Sequence, residues 1–418
     1  MIFDVLTNIN FIDFWRQKMW KNIEAAPADA ILGLTEAFQA ESRPGKVNLG
    51  VGVYKDETGI TPVLKCVKAA ESILLETEKT KSYLPIPGDP VYGAEVQKLI
   101  FGESSEVISG RRAVTAQAPG GTGALRVGAD LLKKFNKDAK LWLSNPSWAN
   151  HRSVFSAAGY AVEEYPYYDA DAKGVDFAAM KECLARVPSG DVVLLHACCH
   201  NPTGFDLSAD QWKELVEVAK KAGWIPFLDF AYQGLGEGLV QDRVGVVAFA
   251  ESGLDMVVAS SFSKNFGLYR ERVGAITLVT PSEAEAVVAM SHMKTVVRVL
   301  YSNPPAHGGL VVKTVLTSKT LHSQWTDELD TMCRRIKEMR AELVQGLEKR
   351  GVEQDFSYIL RQCGMFSFSG LSKEMVAWLR AEKGIYMVGS GRINLAGLTP
   401  SNIDYVCDAI AEGLKQEK

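Results

Sequence analysis

The sequence lacks the features of a membrane-spanning or nucleic-acid-binding chain. It has no uninterrupted run of about 18 apolar residues, which a membrane-spanning helix needs. Its 46 lysines and arginines are outnumbered by 50 aspartates and glutamates, which gives a net charge of −4. Without an excess of positive charge, no field exists to hold nucleic acid or an anionic membrane. We therefore expect partners that are neither nucleic acid nor membrane.

The cysteines do not follow the pattern of a secreted, disulfide-bonded protein. Seven cysteines, an odd number in a chain of 418 residues, indicate a reducing compartment. Cys198 and Cys199, flanked by His196 and His200, suggest a set of metal ligands. Adjacent residues on a strand point to opposite faces, so these two thiols are not expected to share an ion. The sequence therefore predicts no metal site.

Residues 1–19 lack the features of a targeting signal. They are apolar but carry Asp4 and Asp13, and they have neither a basic start nor a small-residue cleavage site. They are also poor in arginine and serine, which argues against a mitochondrial signal. We expect an N-terminal extension and a cytoplasmic protein; targeting to an organelle by residues 1–19 is the alternative.

From residue 112 onward, short apolar strands alternate with polar or glycine-bearing loops and helices. With 47% hydrophobic residues over 418 positions, the chain can bury a large core, in two domains. The alternation predicts an α/β fold with a mostly parallel sheet and helices on both faces. The predicted strands are 113–118, 141–143, 192–197, 225–228, 256–259 and 275–279.

Near residue 325 the pattern changes to one long amphipathic helix. Apolar residues from Trp325 to Leu347 recur every three or four positions, and Gly351 supplies a C-cap. Beyond it, short strands and helices predict a smaller α+β unit. An amphipathic helix over 27–40, with the glycine-rich strand that follows it, is the expected partner of this unit.

Polar and aromatic residues stand where strands of the predicted sheet end. Ligands bind an open α/β sheet at that edge, outside the carboxyl ends of the strands. Convergence of several such loops favours one shared small-ligand site over separate turns. The loops are PGGTG (119–123), NPSW (145–148), HNPTG (200–204), DFAYQG (229–234) and SFSK (261–264).

These loops have the chemistry to hold an anionic carbonyl cofactor. Gly120, Gly121 and Thr122 precede a helix, whose first amides would cradle a phosphate. Asp229 ends an apolar strand, where a carboxylate needs a cationic partner such as a protonated ring nitrogen. Lys264 ends another strand, where a neutral amine can form a Schiff base with a carbonyl cofactor.

Further side chains complete this set. Asn201 and Tyr232 can donate hydrogen bonds to a ring oxygen, Trp148 offers a stacking face, and Arg272 can anchor a phosphate. Together these groups describe pyridoxal phosphate. A nicotinamide dehydrogenase is the alternative, but GGTGALRVG lacks the required glycine spacing and no ribose-binding acid follows the next strand.

From about Trp20 to the C-terminus, the sequence resembles the class I pyridoxal-phosphate aminotransferases. The similarity is to the bacterial-type group that contains aspartate and aromatic aminotransferases; residues before Trp20 depart from the family pattern. The motifs that carry it are NLGVGVYKDETG, APGGTGALR, HACCHNPTGFD, LDFAYQG, SFSKNFGLYRERVG, VRVLYSNPPAHG, GMFSFSGL and SGRINLAGL.

The resemblance implies a role for each matched residue. Lys264 would carry the cofactor and move the substrate proton, and Asp229, supported by His151, would pair with the pyridine nitrogen. Arg392 would bind the substrate α-carboxylate, and Arg298, from the other subunit of a homodimer, the distal carboxylate. The remaining implied contacts are Asn201 and Tyr232 to the ring oxygen, Trp148 to the ring face, Gly121, Thr122, Ser261, Arg272 and, from the other subunit, Tyr83 to the phosphate, and Val51 and Gly52 to the substrate.

The resemblance also implies the fold and the reaction. The fold would be the pyridoxal-phosphate transferase fold type I, with an extension (1–19), a small α+β domain (20–60 and 325–418) and a large cofactor-binding domain (61–324). The implied reaction is reversible transamination of L-aspartate and 2-oxoglutarate to oxaloacetate and L-glutamate. One alternative is an aromatic amino acid aminotransferase, acting on tyrosine or phenylalanine with 2-oxoglutarate. Another is a binding or regulatory protein that has kept the fold; the intact Lys264 and Asp229 argue against it.

Overall fold

The computed structural model describes residues 23–25 and 32–416. The proposed extension, 1–19, and the first residues of the predicted helix over 27–40 lie outside the described residues. None of the helices within the described ranges is long and apolar enough to cross a membrane. The helices are α1 (Leu32–Ala40), α2 (Lys65–Thr77), α3 (Pro90–Phe101), α4 (Glu106–Ser109), α5 (Gly120–Phe135), α6 (Ala149–Ala157), α7 (Phe177–Leu184), α8 (Ala209–Ala222), α9 (Val244–Glu251), α10 (Glu283–Leu300), α11 (Ala306–Thr317), α12 (Lys319–Lys349), α13 (Lys373–Lys383) and α14 (Ile403–Gln416).

The strands form one large sheet and three small ones. Short 3-10 turns at Gln241–Arg243, Ser357–Arg361 and Leu395–Gly397 complete the regular structure. The strands are β1 (Val47–Asn48), β2 (Ala113–Pro119), β3 (Leu141–Asn145), β4 (Val162–Pro166), β5 (Tyr168–Asp169), β6 (Gly174–Val175), β7 (Val192–His196), β8 (Ile225–Phe230), β9 (Met256–Ser261), β10 (Val273–Val279), β11 (Phe366–Phe368), β12 (Ile385–Tyr386) and β13 (Arg392–Asn394).

The large sheet has the strand order β2-β10-β9-β8-β7-β3-β4. Neighbours from β9 to β4 run parallel, whereas β10 runs antiparallel to both β9 and β2. Because β10 reverses direction on both sides, β2 points the same way as the parallel strands. The carboxyl ends of β2, β3, β7, β8 and β9 therefore meet at one edge. The predicted mostly parallel sheet is confirmed, with β10 as the exception.

Helices cover both faces of this sheet, so its strands are apolar throughout. On β7, Val192 and Leu194 pack into one buried cluster, and Val193 and Leu195 pack into the other. Alternate residues of a strand face opposite sides, and burial of both sides explains why β7 reads as a continuous apolar run rather than an alternating one. The α/β architecture predicted from the sequence is confirmed.

The long helix α12 connects the large sheet to the C-terminal elements. It ends close to the predicted cap, where Gly351 adopts a φ of 68°. Beyond it, β11 pairs with β13, and β12 pairs in parallel with β1 from the other end of the chain. On this basis we propose that 20–60 and 325–418 form one small domain beside a large domain, 61–324; residues 20–22, 26–31 and 417–418 lie outside the described part of it.

Candidate active site

A cavity of about 510 Å³ opens at the carboxyl edge of the large sheet, beneath the segment that follows β1. It brings together groups from both ends of the chain and from five strand ends. The residues predicted from the sequence that line it are Val51, Gly52, Gly121, Thr122, Trp148, Asn201, Asp229, Tyr232, Ser261, Lys264, Arg272 and Arg392.

Lys264 stands just after β9 with its amine inside the cavity. Its Nζ lies 4.6 Å from the centroid of the Tyr232 ring. Burial lowers the pKa of Lys264 to about 8, although the Asp229 carboxylate acts to raise it; the Arg272 cation adds to the lowering. A lysine with this pKa has a substantial neutral fraction at neutral pH, which an amine needs in order to attack a carbonyl.

Asp229, near the end of β8, is a buried carboxylate with one satisfied oxygen. Its Oδ2 lies 2.7 Å from His151 Nε2, and its buried Oδ1 has no hydrogen-bond partner among the described residues. Burial acts to raise the pKa of Asp229, but the hydrogen bond from His151 and nearby positive charge outweigh it, so the pKa is lowered. An ionised carboxylate with a free oxygen at the cavity wall is suited to a cationic N–H donor.

A chain of hydrogen bonds leads through His151 to Asp229. Ser147 Oγ lies 3.0 Å from His151 Nδ1 and 3.0 Å from His196 Nε2, and His196 Nδ1 accepts a long bond of 3.5 Å from the Asn201 amide. Burial lowers the pKa of His196 to about 3, so that ring is neutral. Every donor can then point toward Asp229: Asn201 N–H to His196, His196 to Ser147, Ser147 to His151. Ser147 and His196 belong to this hydrogen-bonded chain, a place that the sequence analysis did not predict for them.

Opposite Asp229, the cavity has the character of an anion site. Gly121 and Thr122 lie in the first turn of α5, where backbone N–H groups have no partner within the helix. A Cβ at Gly121 would lie 3.2 Å from Ser261 Cβ, so this close approach favours glycine. Arg272 Nη1 donates to the Tyr269 carbonyl at 3.0 Å. A cation beside free helix amides is suited to a phosphate.

Arg392, on β13, adds a second cation to the lining of the cavity. Its Nη1 donates to Asn201 Oδ1 at 3.0 Å and its Nη2 to the Gly50 carbonyl at 2.7 Å, while its Nε is buried without a partner. Its guanidinium carbon lies 4.2 Å from the centroid of the Phe366 ring. Burial lowers the pKa of Arg392 to about 10, which leaves it charged at neutral pH. A buried guanidinium bonded to neutral groups is suited to a ligand carboxylate.

Two predicted site residues do not reach the cavity of their own chain. The Tyr83 side chain is 91% exposed, and Arg298 is exposed near the end of α10. A hydrogen-bonded chain connects their surroundings: Arg298 bonds to Ser302, Ser302 Oγ to Asn303 Oδ1 at 3.0 Å, and Asn303 Nδ2 to the Leu84 carbonyl at 2.8 Å. Both residues therefore belong to one surface patch outside the cavity.

The structure corrects the reasoning about Cys198 and Cys199. They lie beyond β7, which ends at His196, and Cys199 has a φ of 51°, so they do not face opposite sides of a strand. Their sulfur atoms and a carboxylate oxygen of Asp242 lie within 4.8 Å of one another. Burial raises the pKa of the Cys198 thiol, and Asp242 accepts backbone N–H groups at 2.7 to 3.0 Å. The stated ground for excluding a metal at this position was wrong.

Other residues that line the cavity were not predicted as part of it. Phe366 comes from the GMFSFSGL motif and Tyr269 from SFSKNFGLYRERVG. Their place in these motifs could have indicated a role in the site, whereas their residue types alone could not. Tyr and Phe at such positions are more often part of a core. The full set is Leu125, Ala149, Asn150, His196, Ala231, Ser263, Tyr269 and Phe366.

Comparison with known proteins places the chain in a family. Residues 44–410 match the family described as aminotransferase class I and II. The chain is 54% identical over 392 residues to aspartate aminotransferases from Salmonella typhi and Escherichia coli (strain K12), covering 94% of this chain and 99% of each relative. The crystal structure of an aromatic-amino-acid aminotransferase from Burkholderia pseudomallei, covalently bound to pyridoxal phosphate, superposes with a TM-score of 0.93 at 51% identity, covering 95% of this chain and 99% of that chain. The protein belongs to the class I and II aminotransferases.

Proposed function

We propose that this protein is a pyridoxal-phosphate-dependent transaminase that interconverts L-aspartate and 2-oxoglutarate with oxaloacetate and L-glutamate. The observation that carries the proposal is that the Lys264 amine and the buried carboxylate of Asp229 line the same cavity. A neutral amine and a carboxylate with an unused oxygen are what a carbonyl-bearing pyridine needs at its two reactive positions.

The donor set fits pyridoxal phosphate on grounds internal to this structure. Asp229 Oδ1 is buried without a partner, and a protonated ring nitrogen would supply the missing donor. Burial raises the pKa of Tyr232, so its hydroxyl keeps its proton and can donate to a ring oxygen. The start of α5, with Ser261 and Arg272, would hold the phosphate.

Pyridoxal phosphate, when bound, supplies an aldehyde for the amine and a ring that accepts electrons from the substrate carbon. The chain's own contribution is proton movement and orientation. Lys264 Nζ would take the proton from the substrate carbon and deliver it to the carbonyl carbon of the cofactor, because its lowered pKa allows both states near neutral pH. Asp229, kept ionised by His151, would hold the ring-nitrogen proton in place. Trp148 would restrict the ring to one plane.

Arginines would recognise the substrate at both carboxylates. Arg392 would bind the α-carboxylate with its free Nε and a remaining N–H, since a guanidinium can pair with a carboxylate through two parallel bonds. The distal carboxylate needs a second cation, and we assign it to Arg298 of the other subunit. Arg298 is exposed in its own chain and outside its own cavity, so it is free to serve a neighbour.

A homodimer with shared active sites follows as part of this proposal. Tyr83 is 91% exposed and Val299, beside Arg298, is 84% exposed. Large side chains at these two positions favour contact with another chain over solvent. In such a dimer, Tyr83 would complete the phosphate site of the other subunit.

We also propose a cytoplasmic location, since all seven cysteines lie in the described part of the chain and are free thiols.

The choice between aspartate and aromatic substrates is testable with the purified protein. The 54% identity to aspartate aminotransferases favours aspartate, and the 51% identity to an aromatic-amino-acid aminotransferase supports the alternative. The visible absorbance of bound cofactor is recorded before and after addition of aspartate, tyrosine or phenylalanine, and kcat/KM is measured for each with 2-oxoglutarate. We expect aspartate to change the spectrum at the lowest concentration and to give the highest kcat/KM. A spectrum that responds only to the aromatic amino acids would establish the alternative, and one that responds to none would refute transamination.

A further inference from the structure

The segment that covers the cavity, residues 49–55, is fastened to the C-terminal elements. The Leu49 amide donates to the Tyr386 carbonyl at 2.7 Å, and the Lys55 amide donates to the Ala396 carbonyl at 3.3 Å. Between them, Asn394 Nδ2 donates to the carbonyls of Val51 at 2.7 Å and Val53 at 2.8 Å. These hydrogen bonds therefore fasten the covering segment to β12, to β13 and to the 3-10 turn that follows β13.

One bond from the covering segment crosses the cavity to the opposite wall. The Tyr54 amide donates to the hydroxyl oxygen of Tyr269 at 2.8 Å. Tyr269 lies on the connection between β9 and β10, five residues after Lys264, and lines the cavity. Its own carbonyl accepts from Arg272. The same residue thus contacts the cover of the cavity and the cation of the proposed phosphate site.

Substrate binding would act on this bond through Arg392. Arg392 Nη2 donates to the Gly50 carbonyl, inside the covering segment, while its Nη1 donates to Asn201 on the large-sheet side. A carboxylate that binds Arg392 therefore binds a residue that is already hydrogen-bonded to the covering segment and to Asn201. The position of the covering segment, and with it Val51 and Gly52 over the ligand, then depends on whether Tyr54 remains bonded to Tyr269.

We propose that Tyr269 is a positioning residue whose hydroxyl latches the covering segment over the substrate. Burial raises the pKa of Tyr269, so its hydroxyl keeps its proton, and the hydroxyl oxygen accepts the bond from the Tyr54 amide. The Tyr54 side chain is buried, so its amide has poor access to a replacement water partner when the hydroxyl is removed. The effect of this latch on turnover rests on the proposed function. The hydrogen bond between Tyr54 and Tyr269 does not depend on it.

The test compares two tyrosine-to-phenylalanine variants of the holoenzyme. Tyr269→Phe removes the latch hydroxyl and keeps the ring. Tyr165→Phe is the matched control, because its buried hydroxyl donates to the Leu194 carbonyl at 2.8 Å, on β7 and outside the cavity lining. We expect Tyr269→Phe to raise KM for aspartate and to lower kcat/KM by roughly 10-fold, the cost of one unpaired buried amide. Tyr165→Phe should leave both constants near the parent values.

Amide hydrogen exchange at Tyr54 provides a readout independent of turnover. Succinate, a dicarboxylate without an amine, is added to each holoenzyme, and exchange is followed by mass spectrometry of the peptide that contains residues 49–55. We expect succinate to slow exchange at Tyr54 in the parent and in Tyr165→Phe but not in Tyr269→Phe. Equal exchange at Tyr54 in all three proteins would refute the latch. Absence of aspartate turnover in the parent, with this exchange pattern intact, would refute the proposed substrate and leave the latch standing.

Discussion

The lowered pKa of Lys264 gives a prediction about the reactivity of one amine among the lysines of the chain. Burial places the pKa at about 8, below the ordinary value of 10.5. At pH 7, an amine with a pKa near 8 is about 10% neutral, whereas one near 10.5 is about 0.03% neutral. The neutral form is the nucleophile, so the Lys264 amine should be available at roughly 300 times the ordinary concentration.

Trace labelling of cofactor-free protein with acetic anhydride measures this directly. The labelling rate at Lys264 should rise with pH, reach half of its maximum at about pH 8 and level off at higher pH, where deprotonation is complete. Lys213, an exposed lysine on α8, is labelled in the same digest and serves as the internal reference. In Asp229→Asn the Lys264 curve should shift to lower pH, because the Asp229 charge acts to raise the pKa of Lys264. A Lys264 curve that coincides with that of Lys213 would contradict the assigned environment.

Two further variants test the proposed roles. Arg298→Ala should lower kcat/KM for aspartate roughly 10²–10³-fold or more, because an unpaired carboxylate in a closed site costs ~3–5 kcal/mol; kinetics with Arg334→Ala, an exposed arginine on α12, as control would show the assignment wrong if both variants behave alike. Asp229→Asn should lose most of its turnover, because the amide cannot hold the ring-nitrogen proton, and a rate near that of the parent would rule out this role for Asp229.

Much of the fold was predictable because burial of both sheet faces leaves continuous apolar runs in the sequence. Predicted strand 225–228 and observed β8 (Ile225–Phe230) differ only at the end, where Asp229 interrupts the run. Strand β4 was missed, since its sequence VEEYP lies at the sheet edge and carries acids. The reversal of β10 has no signature in composition, because a strand buried on both faces reads the same in either direction.

The site was predictable where residue chemistry and strand ends coincide, as at Lys264 and Asp229. It was not predictable where a common residue type acquires a role from its neighbours. Tyr269 and His196 are of this kind, because a tyrosine or histidine near a strand is most often a packed core residue. Cys199 shows a third case. Its backbone is left-handed, which is rare for a residue with a side chain, so the rule that adjacent strand residues face opposite sides does not apply to Cys198 and Cys199.

The antiparallel hairpin of β9 and β10 carries a consequence for how this site can vary. Lys264, Tyr269 and Arg272 all lie on its connection, whose ends are fixed where Gly274 pairs with Ser261. The ladder of backbone bonds, rather than the side chains, thus sets the separation between the amine and the cation. Insertions or deletions in this loop would displace both at once, whereas changes of residue identity leave the spacing intact. Diversification of the site within a constant loop length is the route that this geometry permits.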